Sequence, residues 1–99
     1  MWVKVTSHKT WGPECRKWDT FGININRALR NAGLAVTEDN LVKFCKSKCE
    51  EMEGCTGFEH QGMHWCYWDF CDQGWNKDIN GGNFVKKRFQ VTTYYLRDS

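Results

Sequence analysis

The stretch FCKSKCEEMEGCTGFEHQGMHWC, residues 44–66, sets Cys45, Cys49, Cys55 and Cys66 beside His60 and His64. Thiols and imidazoles at such spacing have three chemistries open to them: holding zinc, exchanging disulfides, or cross-linking a fold. Zinc needs two close ligand pairs, and Cys45-x3-Cys49 with His60-x3-His64 has that form. Taking those four, however, would leave Cys55 and Cys66 bracketing the histidines with no role of their own. Redox catalysis has less support, because the chain has no C-x-x-C and its thiols lie in no βαβ setting. The cysteines therefore read as structural cross-links, and neither a metal nor a cofactor is expected.

Other catalytic chemistry is equally thin. Glu50, Glu51 and Glu53 fall on the polar turns of a helix-like run, where solvent explains them. His60 and His64 flank a turn and are expected at the surface, and His8 stands apart. No G-x-S-x-G, phosphate loop or Cys-His arrangement separate from the cross-links occurs. The chain is expected to be non-enzymatic, with no catalytic residue.

Its 99 residues suffice for one domain over 1–99 with a small core. Six Cys, six Trp, six Phe and three Tyr imply a core of a few large rings held by cross-links. An even number of cysteines in so short a chain points to an oxidising, extracellular setting. The segment MWVKVTSHKTWG lacks the apolar core of a signal peptide, so any secretory leader is expected outside this sequence. No run approaches the ~20 apolar residues of a membrane span, and direct membrane insertion is not expected. A net charge of +2 gives no argument for nucleic acid.

The clearest element is a helix over Glu38–Met52. Thr37, Asp39 and Asn40 can cap its start, and Gly54 is placed to end it. Leu41, Phe44, Cys45, Lys48, Cys49 and Met52 repeat at the spacing of one helical face, which carries Cys45 and Cys49 inward. TGFEH and HWCYWDF, parted by QGM, read as a β-hairpin turning at Gly62. NFVKKRFQVTTYYLR after the turn signal NGGN predicts one or two further strands, and WVKVT predicts another near the start. INRALRNAG fits either a short helix ending at Gly33 or an ordered loop.

Helical geometry restricts the cross-links. Side chains four apart on a helix have Cβ atoms about 5–6 Å apart, whereas a disulfide wants about 3.8 Å, so Cys45 and Cys49 must seek different partners. Cys66 and Cys71 are poor mates too, since five residues of extended strand span about 16 Å. Several pairings remain open. The helix with C-x3-C, the CTGF at 55–58 and the CYW at 66–68 together resemble the PAN/apple domain family over residues 37–70. That resemblance implies an α+β fold, a small disulfide-stapled five-stranded antiparallel sheet packed against one central α-helix. It also implies bonds Cys45–Cys66 and Cys49–Cys55, which leaves Cys15 for Cys71.

PAN/apple domains are typically binding modules, so the resemblance implies adhesion or recognition of carbohydrate or extracellular protein, with oligomeric state left open. Strand parity narrows the surface. If Cys66 faces the helix, His64, Trp68 and Phe70 do as well, while Trp65, Tyr67 and Asp69 face away. Trp65 and Tyr67 are therefore the expected ligand-binding aromatics, suited to sugar rings or a protein hot spot, unless an N-terminal segment covers them. In FVKKRF, Lys86 and Arg88 share a strand face and offer a basic patch for sulfated or carboxylated glycans, which Lys4, Arg16 or Lys17 can extend. Carbohydrate is the preferred ligand class. The alternative is a free-standing secreted effector, such as a toxin or defence protein, that uses the same staples for stability.

Overall fold

A computed structural model of the chain describes residues 2–12, 15–70 and 84–96. Its elements are β1 (Trp2–Trp11), β2 (Arg16–Phe21), α1 (Gly22–Asn31), α2 (Glu38–Glu51), β3 (Gly57–Gln61), β4 (Trp65–Asp69) and β5 (Phe84–Leu96). The strands form one sheet in the order β1-β5-β3-β4-β2, each neighbouring pair antiparallel. The result is a small disulfide-stabilised α+β fold.

α2 begins as its sequence dictates. Thr37 is extended, and its Oγ1 accepts from the Asn40 N–H at 3.2 Å, while Glu38 and Asp39 occupy the first turn. Leu41, Cys45 and Cys49, four residues apart, are its buried stripe. The single helix of the expected fold is corrected to two, because INRALRN also coils. Ile25 and Leu29 of α1 are buried one turn apart and join the same core. α1 stops at Gly33, whose φ of 75° is the left-handed value glycine adopts without strain. There the Leu34 N–H reaches the Leu29 carbonyl at 2.9 Å and the Gly33 N–H reaches that of Arg30 at 3.0 Å, the bonding pattern of a Schellman cap.

The hairpin forms β3 and β4, closing through Gly62 (φ 50°) with a 2.9 Å bond from the His64 N–H to the Gln61 carbonyl. Phe58 of β3, with Cys66 and Trp68 of β4, faces the helices and packs on Leu41, Cys45 and Cys49. Trp68 buries its ring yet still satisfies its indole, donating to the Cys45 carbonyl at 2.9 Å. Two disulfides pin this layer, Cys45–Cys66 between α2 and β4 and Cys49–Cys55 across the end of α2, with Cα separations of 6.6 and 5.3 Å. Cys15 is also disulfide-bonded; its expected partner, Cys71, lies outside the described residues.

The tail makes one long strand of 13 residues, and β1 runs for 10, twice the length expected from WVKVT. β2, paired with β4 at the sheet edge, has no counterpart among the strands read from residue patterns. No helix among the described residues is long and apolar enough to cross a membrane.

Candidate ligand-binding face

One side of the sheet belongs to the helices; among the described residues the other is covered at one end. Strand alternation sends Gly57, Glu59 and Gln61 of β3 and Trp65, Tyr67 and Asp69 of β4 to this second side. The β1–β5 register slips between Ser7 and Lys9, and such an irregularity bends and twists a strand. Trp11, at the far end of β1, is fully buried and lies against Gly57. A Cβ at Gly57 would sit 3.1 Å from Trp11 Cη2 and 2.7 Å from the Tyr94 carbonyl oxygen, so only glycine admits this approach. Trp11, Cys15 and Tyr95 form a second small core there, with Val3 and Val5 beside them.

Past that cover the face opens. Trp65 and Tyr67 are half-buried and tilt against each other, ring centres 4.4 Å apart at 43°. Phe89 of β5, 37% exposed, meets Trp65 edge-on at 6.3 Å. At the opposite end the Arg16 guanidinium carbon lies 4.5 Å from the Tyr67 ring centre, within cation–π range. Trp65 is fixed further by donating its indole N–H to Gln61 Oε1 at 3.0 Å. Phe89, Trp65, Tyr67 and Arg16 thus make one continuous run of flat groups.

Glu59 lies beneath this run, opposite Tyr67 in the β3–β4 register and without exposed surface. Its carboxylate accepts from the Thr10 hydroxyl and, at 3.4 Å, from the Trp11 N–H, so it ties β1 to β3. Burial pushes its pKa up to about 7, against the opposing pull of those two donors and of the Arg16 and Lys87 charges. Asp69, on the same side, is buried as well. Sequence reasoning missed Glu59. The available signal was its place between Phe58 and His60 on a strand whose both faces prove to be covered.

The expected basic pair, Lys86 and Arg88, lies on β5 where its register slips against β1, with Arg88 exposed and Lys86 half-buried, and Phe89 of the same stretch reaches Trp65. Among the described side chains Arg16 is the cation brought to the rings, whereas Lys4 sits 5.9 Å over Tyr94 on the helix side. His64 is exposed, but the expectation of a surface position for His60 is corrected. At 1% exposure it is held under α2, its Nδ1 3.1 Å from the Gly62 carbonyl and 4.0 Å from Glu38 Oε1. Burial lowers its pKa, and the Gly62 carbonyl and the Glu38 charge only partly offset that. Cys45 and Cys49, the thiols of the zinc-like spacing, are both consumed in disulfides.

Comparison with known proteins found no family model, no curated protein and no solved structure that matches this chain.

Proposed function

We propose that the chain is an extracellular, non-catalytic binding module of PAN/apple type that holds a carbohydrate on the Phe89–Trp65–Tyr67–Arg16 face. The continuous run of half-open rings ending in a guanidinium carries this reading. Aromatic faces suit the apolar C–H faces of sugar rings, and a guanidinium supplies directed hydrogen bonds to sugar oxygens. The disulfides fit an oxidising, extracellular location. Their pairing and the five-stranded sheet also support the PAN/apple reading. A non-catalytic role is favoured because Glu59, whose pKa burial pushes up to about 7, is sealed from any substrate.

The test is a glycan array probed with the oxidised domain, followed by titration of any hit. The double variant W65A/Y67A is expected to bind at least about tenfold more weakly, the loss that one hot-spot contact represents. Binding unchanged by that variant overturns the assignment of this face, and a blank array redirects the module to a protein ligand.

A further inference from the structure

We propose that Glu59 is a proton-gated counter-charge for this face: ionised, it compensates Arg16, and protonated, it leaves Arg16 to a carboxylated or sulfated sugar, so acidic sugars bind more tightly in mild acid. This inference rests on the binding-face reading above and adds its regulation.

Tyr67 links the two charges. Glu59 pairs with Tyr67 across the β3–β4 ladder, and the Arg16 guanidinium lies against the Tyr67 ring. A carboxylate and a guanidinium therefore share one aromatic neighbour, with the carboxylate buried and the guanidinium half-exposed. In that setting their mutual field is poorly screened by solvent. A ligand anion placed on Arg16 is attracted by the guanidinium and repelled by ionised Glu59; adding a proton to Glu59 removes the repulsion alone.

Groups from every surrounding strand bear on the gate. β1 contributes Thr10 and the Trp11 N–H, β2 Arg16, β4 Tyr67 and Asp69, and β5 Lys87 and Thr93. Of these, Arg16 and Lys87 favour the ionised form, but burial outweighs them and brings the proton equilibrium close to neutrality. A protonated carboxyl still accepts from the Trp11 N–H and can exchange a hydrogen bond with Thr10. The proton therefore changes the charge beneath the face without releasing β1.

The experiment measures affinity at pH 5.5 and pH 8 for three hexasaccharides: hyaluronan, heparin-derived, and neutral chitin. Circular dichroism at both pH values verifies an intact fold. Wild type is expected to hold the two acidic probes on the order of tenfold more tightly at pH 5.5. E59Q, which has the shape of the protonated acid, should bind them equally at both pH values with the tight affinity. R16Q should bind weakly at both.

Equal wild-type affinity at the two pH values, or a pH dependence that persists in E59Q, overturns the gate and leaves the face standing. Binding of chitin alone overturns the acidic-sugar specificity. Binding of none of the three overturns the gate, and with a blank glycan array it overturns the face. Should E59Q fail to fold, R16Q answers the same question, since a pH dependence surviving without Arg16 contradicts the proposal.

Discussion

Two buried ionisable groups, on opposite sides of the same strand, set opposing pH dependences. Glu59 has its pKa raised to about 7 by burial, so the folded state holds its proton more tightly than the unfolded chain does. Its stabilising contribution is complete below its ordinary pKa of 4.5 and is lost as pH rises through about 7. The full swing is on the order of 3 kcal/mol, since each pKa unit is about 1.4 kcal/mol. His60 has its pKa lowered, so its contribution is present above the ordinary value of 6.5 and is lost as pH falls toward the depressed folded value. Urea unfolding between pH 4.5 and 8.5 should separate them. In E59Q the decline in stability toward neutral pH should flatten, and in H60Q the loss on the acid side should shrink. Identical pH profiles for wild type and E59Q would show that Glu59 titrates alike in both states.

At the scale of elements, what the sequence makes legible follows from local rules. α2 was readable because Thr37, Glu38 and Asp39 start it and Leu41, Cys45 and Cys49 repeat every four residues, and the hairpin because Gly62 punctuates two β-rich runs. α1 left both readings open, since its core contact rests on Ile25 and Leu29 among the described side chains and a short amphipathic run acquires its helix from packing. The approach of the end of β1 to β3 was not legible at all. It depends on a register slip and on Trp11 meeting Gly57, residues 46 positions apart that no local pattern links. For the same reason Trp65 and Tyr67 were identified by parity, while Arg16 as their cation and Glu59 beneath them were not. The contact is testable. G57A places a methyl against the Tyr94 carbonyl and Trp11, and should cost on the order of 1–3 kcal/mol through overpacking. Guanidinium unfolding followed by tryptophan fluorescence checks it; an unchanged midpoint would mean that Trp11 is not held on the sheet.

On the scale of the whole molecule, each sheet face has its own means of closure. The helix side carries the larger apolar layer and both described disulfides, while the second side relies on Trp11, Cys15, Tyr95 and the Glu59 carboxylate. A chain this small gains stability where a cross-link shortens the unfolded chain's freedom, and the two bonds differ in that respect. Cys45–Cys66 spans 21 residues of sequence and joins layer to layer, whereas Cys49–Cys55 spans 6 and closes one turn. Chain entropy alone makes removal of the longer one more costly by about 1 kcal/mol. Lost contacts add to this, because Cys45 and Cys66 are fully buried and Cys55 retains some exposure. C45A/C66A should therefore unfold at a clearly lower urea concentration than C49A/C55A, with the binding proposed for the Trp65–Tyr67 face weakened in proportion to the unfolded fraction. If C49A/C55A proved equally or more damaging, the turn after α2 would be the organising feature, and the bond between α2 and β4 a secondary reinforcement.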